Sequence, residues 1–279
     1  MSFRVGLVQL NSGDDPAANL PIILNHIRNA AVGGAQFVAT PEVTNIVATS
    51  RSHQRAVLRH EGDDATLTAL IAEAKALNIW LLIGSLALLG DTPDDDRFVN
   101  RSCLISPQGV VVARYDKIHM FDVNLPNGET YRESAGFRPG NRAVLANTTL
   151  GKIGLTICYD MRFAALYRAL AQAGAQIITV PSAFTVPTGQ AHWHSLLRAR
   201  AIETGAFIIA PAQCGQHVGR KTYGHSLVVS PWGNIIAEAD ETEGVTFAEI
   251  DLKHVDEARS RIPSLRHDRP FDLPSEAPL

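Results

Sequence analysis

Three residues of this 279-residue chain stand where an apolar run, read as a strand, gives way to a reactive side chain. Glu42 follows Gln36–Ala39 by way of Thr40-Pro41, and Lys117 follows Val110–Tyr115 in Tyr-Asp-Lys-Ile-His. Cys158 follows Lys152–Ile157, where Thr-Ile-Cys-Tyr-Asp leads into a helical pattern. In open α/β sheets, ligands gather beyond the carboxyl ends of strands. A thiol nucleophile needs a base to take its proton and a cation or donor to hold the oxyanion that develops on the attacked carbonyl. Glu, Lys and Cys supply those three roles without a metal and without a histidine. A thiol of pKa ~8.5 is only a few per cent thiolate at neutral pH, so its surroundings decide its reactivity. Backbone N–H groups and a helix dipole at a strand-to-helix turn are both expected to depress the thiol pKa. Taken singly, the cysteine reads as inert core, the glutamate as a turn residue and the lysine as a solvated charge. Spacing alone does not bring them together.

Alternating strands and helices must do the positioning. Strands are read at Phe3–Leu10, Gln36–Ala39, Ile79–Leu88, Val99–Ile105, Val110–Tyr115, Lys152–Ile157, Ala175–Val180, Ala206–Ala212, Ser226–Val229, Asn234–Ala239 and Val245–Ile250. Helices are read at Ala17–Val32, Ala65–Leu77, Phe163–Ala173 and Ala191–Glu203, with Gly205 just past the last, and a short one at Val255–Ser260. Lys117 to Asn141 lacks periodicity and is rich in turn formers such as Pro126, Asn127, Gly128, Pro139 and Gly140. A loop of that length within a compact domain is usually functional or disordered. No linker-like change of composition and no convincing internal repeat divides the chain, so one α/β domain with two sheets and outer helices is the simplest account.

Composition narrows the function. Hydrophobic residues make up 46% and charged residues 19%, ordinary for a packed protein and far from a disordered one. A net charge of −3 leaves no electrostatic case for nucleic acid as a partner. The longest apolar run, Trp80–Leu89, is about half of what a bilayer span needs, so no membrane is expected. Cys103, Cys158 and Cys214 are too few and too widely spaced for a disulfide framework or metal finger, which points to reduced thiols and a cytoplasmic setting. Phosphate-binding glycine loops are missing, and no cofactor is expected.

Three segments then carry a specific likeness: Thr40-Pro41-Glu42, Asp116-Lys117-Ile118-His119-Met120-Phe121-Asp122, and Gly154-Leu155-Thr156-Ile157-Cys158-Tyr159-Asp160-Met161-Arg162-Phe163. In order and spacing they resemble the Glu, Lys and Cys signatures of the nitrilase superfamily of carbon–nitrogen hydrolases. The resemblance runs from about Phe3 to about Pro270, which makes residues 1–270 the hydrolase domain and 271–279 a tail. It implies a four-layer α-β-β-α sandwich with the site at one end of the two sheets, and a homodimer or larger homo-oligomer. It implies that Glu42 deprotonates Cys158 and later protonates the leaving ammonia, while Cys158 forms a thioester with a small-molecule amide substrate. Lys117 and the backbone N–H of Tyr159 would hold the oxyanion. Glu133, 16 residues beyond the lysine, resembles a supporting second glutamate that positions Lys117 and the substrate amide.

Tyr159-Asp160 after the nucleophile resembles the amidase branches; nitrile hydrolases usually carry Trp-Glu there. Ala212-Gln213-Cys214-Gly215-Gln216-His217, Tyr223-Gly224-His225-Ser226 and Pro231-Trp232-Gly233 resemble the branch that hydrolyses deaminated glutathione, and the chain is expected to act there. The sibling ω-amidase branch, acting on α-ketoglutaramate, is the alternative, as is a catalytically silent binding or assembly module. Pro41-Glu42-Val43-Thr44-Asn45 departs from the pattern beside the base, and Met120 stands where leucine is common. Arg162 is read either as a receiver of a substrate carboxylate or as a structural partner of Asp160 or Glu133. His192 and His194 are two apart and cannot share a metal from one helix face, so no metal is expected; they are read as lining a loop and capping a helix, with His192 or Trp193 flanking the substrate entrance. Cys214 is read as a small buried hydrophobe or pocket wall, and Cys103 as core.

Overall fold

A computed structural model describes residues 2–125 and 128–272. The first half of the chain runs β1 (Ser2–Gln9), α1 (Pro16–Val32), β2 (Phe37–Ala39), α2 (Arg51–Val57), α3 (Ala65–Leu77), β3 (Trp80–Leu88), β4 (Val99–Ile105) and β5 (Val111–Asp116). A small hairpin, β6 (Asp122–Asn124) and β7 (Thr130–Arg132), precedes β8 (Val144–Thr148), β9 (Gly151–Leu155), α4 (Ala164–Gln172) and β10 (Ile177–Thr179). Next come α5 (Val186–Thr204), β11 (Phe207–Ala210), a second hairpin of β12 (Cys214–His217) and β13 (Arg220–Tyr223), then β14 (Leu227–Val229), β15 (Ile235–Glu238), β16 (Gly244–Asp251) and α6 (Lys253–Arg261).

Two six-stranded sheets result, in the orders β16-β1-β2-β3-β4-β5 and β15-β14-β11-β10-β9-β8. Alternation along the strands builds the layers. Phe3, Val5 and Leu7 of β1, Phe37 and Ala39 of β2, and Trp80 and Leu82 of β3 share one core with Ile153, Leu155, Ile177, Ile208 and Val229 of the second sheet. Val8, Val38, Leu81 and Ile83 face the other way and pack against Ile23, Ile27, Leu67 and Leu70 of α1 and α3. Leu170 of α4 and Leu197 and Ala201 of α5 cover the second sheet. The order of layers is α-β-β-α.

The sheets share a plan that the sequence conceals. In each, three central strands run parallel (β1-β2-β3 and β9-β10-β11). One edge adds a single antiparallel strand, β16 or β8, and the other adds an antiparallel pair, β4-β5 or β14-β15. The expectation of no internal repeat is therefore corrected at the level of topology. Backbone hydrogen bonding repeats here without the side chains repeating.

Most expected elements appear with ends displaced by one or two residues, and α3 and β4 have the expected bounds. Two differences touch function. The stretch from Lys117 to Asn141 is not structureless: it forms β6, β7 and a 3-10 turn at Glu133–Ala135, while Pro126 and Asn127 lie outside the described residues, as do residues 273–279 of the tail. Helix α5 begins at Val186, five residues early, because Pro187 sits in its first turn, where a missing N–H costs nothing. It ends at Gly205, whose φ of +55° is the left-handed conformation that glycine adopts most readily.

Gly84, within β3, packs against the segments that follow β2 and β10. A Cβ there would stand 2.0 Å from Thr40 O, 2.5 Å from Pro41 O and 2.5 Å from Pro181 Cβ. Backbone oxygens cannot swing aside as a long side chain can. Gly84→Ala should therefore destabilise the fold by about 1–3 kcal/mol in urea unfolding and lower activity with it, because overpacking here displaces the segments that carry the site.

Candidate active site

The site sits where those segments meet. Thr40, Pro41 and Glu42 leave the carboxyl end of β2 and are tied to β3: Gly84 N donates to Thr40 Oγ1 (3.1 Å), Ser85 N to Pro41 O (3.2 Å) and Val43 N to Ser85 Oγ (2.7 Å). Cys158 leaves the carboxyl end of β9, and its N–H donates to Pro181 O (2.9 Å), just beyond β10. Cys158 and Val43 both have φ near +48°, a conformation that side-chain-bearing residues avoid at a cost of roughly 1–3 kcal/mol each. The nucleophile candidate and the neighbour of the base candidate are thus both held in strained backbone.

Asp160 fixes the turn after Cys158. Its fully buried carboxylate accepts from Ile157 N (2.9 Å), Tyr115 Oη (2.6 Å), His119 N (3.0 Å) and His119 Nδ1 (2.6 Å). One side chain therefore joins the cysteine turn to the end of β5 and to the residues after Lys117.

Lys117 is only 2% exposed, Glu42 4% and Cys158 7%. The ammonium donates to Glu42 Oε1 (2.8 Å) and to both oxygens of Glu133 (2.9 Å each). Glu42 is held further by Asn100 Nδ2 on Oε1 (3.0 Å) and Ala183 N on Oε2 (2.8 Å), and it lines the same cavity as the Cys158 thiol. Glu133 Oε2 also accepts from Phe121 N (2.6 Å). The hairpin following Lys117 thus folds back so that its 3-10 turn returns a carboxylate to the lysine.

These contacts set the charge states. Burial by itself raises the Glu42 carboxyl, yet the Lys117 charge and hydrogen bond, with a smaller contribution from Cys158, hold it below its ordinary 4.5. Burial lowers the Lys117 ammonium, yet Glu133 and Glu42 keep it well above 10.5. Burial pushes the Cys158 thiol up and the Glu42 charge pushes it further, with Lys117 offsetting only part. The expected depression of this thiol is therefore corrected. The element after it is a five-residue 3-10 turn, and burial beside a carboxylate outweighs that short dipole. The arrangement is a neutral thiol and an ionised carboxylate in one cavity wall, with a fixed cation bonded to the carboxylate. It suits proton abstraction during attack better than a resting thiolate.

A cavity of about 530 Å³ opens onto this cluster. Its walls include Glu42, Lys117, Glu133, Cys158 and Tyr159, whose ring packs edge-on to Phe121 at 5.2 Å. Three expected site residues are elsewhere. Trp193 is fully buried, donates Nε1 to His225 O (2.8 Å) and packs on Phe184, so it is core. His192 is on the surface of α5, not in a loop, and its Nδ1 lies 3.3 Å from Arg162 Nη2. Arg162 pairs with neither Asp160 nor Glu133; its guanidinium lies over the rings of Tyr159 and Phe184 at 5.7 and 5.6 Å, outside the cavity walls. Its position near the cysteine in sequence misled because the turn at Met161–Arg162 carries the side chain past the cavity wall. Cys103 and Cys214 are buried, and burial pushes both thiols up to about 12. Neither lines the cavity.

Sequence reasoning missed Asn100, Ala183, Arg51, Arg132 and Arg220, all in the cavity walls. Among the described residues, the two buried side-chain polar atoms without a partner, Asn100 Oδ1 and Arg220 Nε, both belong to this lining. Asn100 sits within a strand and Arg220 at the start of a short hairpin strand, where nothing local marks a functional side chain.

The carbon–nitrogen hydrolase family profile matches residues 4–260. A deaminated glutathione amidase of Yersinia enterocolitica is 39% identical, covering 95% of this chain and 93% of its own. Among solved structures, Nit3 of Saccharomyces cerevisiae, a member of the nitrilase superfamily, superposes with a TM-score of 0.85 at 30% identity, over 95% of this chain and 96% of that one. An amidase of Nesterenkonia sp., whose active-site cysteine carries a covalent acetamide moiety, superposes at 0.78 with 26% identity, over 94% of this chain and 95% of that one.

With Glu42 as the base, kcat/KM should stay flat as pH falls through 6 and decline only below 4.5, because the depressed carboxyl is protonated there. An acid limb centred near 6.5, as for a histidine base, would count against this assignment. Lys117→Ala should cost about 3–5 kcal/mol in urea unfolding, since it strands two neighbouring carboxylates without their cation.

Proposed function

The chain belongs to the carbon–nitrogen hydrolase family, and from that premise we propose that it hydrolyses the amide bond of deaminated glutathione through a thioester on Cys158. It is a hydrolase acting on carbon–nitrogen bonds other than peptide bonds. The observation that carries the reading is a single carboxylate, Glu42, bonded to a buried ammonium in the same cavity wall as a thiol that its charge raises.

In this mechanism Glu42 takes the thiol proton as the sulfur attacks the amide carbonyl. Negative charge moves onto the carbonyl oxygen, where Lys117 Nζ and the N–H of Tyr159 hold it; losing one such donor typically costs roughly 100- to 1000-fold in rate. The C–N bond then breaks, and the proton on Glu42 passes to the departing nitrogen. Water attacks the thioester with Glu42 again as base, releasing the carboxylic acid and restoring the thiol. Glu133 keeps the ammonium in place through both halves.

Deaminated glutathione carries two carboxylates, and the cavity walls support such a substrate. Arg51, Arg132 and Arg220 all line it, and among the described residues none has a carboxylate partner. Their hydrogen bonds go instead to Arg132 O, to Val123 O, Tyr131 O and Asn124 Oδ1, and to Ala183 O respectively. Guanidinium forks suit carboxylates. Homodimerisation belongs to the same proposal: Ile202, Trp232 and Ile262 form an apolar patch, with Trp232 51% and Ile262 58% exposed. Light scattering in solution tests it. Among the described residues, no helix is long and apolar enough to cross a membrane.

Purified enzyme should be assayed against deaminated glutathione, α-ketoglutaramate, simple amides and nitriles, with acyl-enzyme trapped and weighed on Cys158. Cys158→Ala is expected to abolish turnover. Preference for α-ketoglutaramate moves the chain to the ω-amidase branch, and a folded protein inert to every amide favours a binding module. The double variant Arg51→Gln/Arg132→Gln should raise KM for deaminated glutathione roughly tenfold or more while leaving turnover of an uncharged amide nearly unchanged.

A further inference from the structure

Away from the catalytic cavity, three side chains from separate parts of the chain converge: His194 on α5, His225 in the turn after β13, and Glu238 at the end of β15. We propose that they form a binding site for a borderline divalent cation of the zinc class. One donor atom from each lies within 4.8 Å of the others. Glu238 Oε1 is 2.7 Å from His194 Nε2 and 3.3 Å from His225 Nδ1. A tetrahedral zinc with bonds of ~2.1 Å separates neighbouring ligand atoms by about 3.4 Å, so the Glu238–His225 pair is already at that spacing and the Glu238–His194 pair opens by about 0.7 Å. Two imidazoles and one carboxylate are an established ligand set for zinc, and the partial exposure of all three leaves a fourth position for water.

The surroundings hold the ligands in place. His225 has φ +56°, and its strained backbone is tied on both sides: its carbonyl accepts from Trp193 Nε1 (2.8 Å) and its N–H donates to Asp240 O (3.2 Å). The Tyr223 ring packs against His225, with centroids 4.3 Å apart. The far nitrogen of His225, Nε2, faces Glu241 Oε1 at 4.0 Å, the kind of outer carboxylate that orients a metal-binding imidazole. Sequence spacing pointed only to His192 and His194, which diverge: His192 turns to Arg162, and His194 finds its partners more than thirty residues away. The competing account is a hydrogen-bonded array in which both imidazoles donate to one carboxylate oxygen and no cation binds.

The full chain, stripped with a chelator, should be titrated with zinc(II) by calorimetry and with cobalt(II) by visible absorption. One equivalent is expected to bind, with a tetrahedral cobalt spectrum and a raised thermal midpoint. Cys158→Ser should retain that binding in full, whereas His225→Ala and Glu238→Gln should weaken it about tenfold or more. Glu238→Gln preserves size and shape, so it keeps the test usable if His225→Ala does not fold. Loss of binding in Cys158→Ser would assign the metal to the catalytic thiol. That result, equal binding in both ligand variants, or no binding by the unaltered chain overturns the proposal.

Discussion

A buried ammonium between two carboxylates is the constraint on which this site depends. Taking a lysine head group out of water costs several kcal/mol, and only well-placed opposite charges offset it. Lys117 meets that condition with Glu42 on one side and Glu133 on the other. Meeting it requires three segments to be in register: the end of β5, the end of β2, and the 3-10 turn beyond the small hairpin. The segment after Lys117 is therefore part of what holds the buried ammonium and not only a connection between sheets.

The same cluster decides how the thiol is used. Burial and a neighbouring carboxylate both favour the neutral form of Cys158, and one ammonium offsets only part of that. A site built for a resting thiolate would place cations nearest the sulfur. Here the Glu42 carboxylate acts on the sulfur more strongly than the Lys117 ammonium does, and that ammonium is bonded to the carboxylate. The strained φ of Cys158 and the four hydrogen bonds to Asp160 aim the sulfur at the cavity, so the geometry is set before substrate arrives.

Beyond the reacting atoms, the cavity changes character. Its inner end holds two carboxylates around one ammonium, whereas its walls also carry three guanidinium groups without acidic partners among the described residues. In the proposed reading, chemistry and selection of substrate fall to different side chains. Relatives sharing the first set can differ in the second.

Local sequence was enough for the alternation of strands and helices and the layered class, and for proposing Glu42, Lys117 and Cys158 as a chemical set, to which the family resemblance added Glu133. Strand period, capping and the residue types needed for thiol chemistry are all short-range properties. The repeated plan of the two sheets was hidden because hydrogen-bonded topology places no demand on which apolar residue fills each position. Arg162, His192 and Trp193 were misplaced for a related reason: nearness in sequence to the cysteine, or a place on the right helix, does not say which side of a wall a side chain occupies. Asn100 and Ala183 act through contacts made across 58 and 141 residues, both onto Glu42. Folding alone decided those pairings, along with the direction of the thiol pKa shift, because burial and the distance between charges exist only once the two sheets have closed on each other.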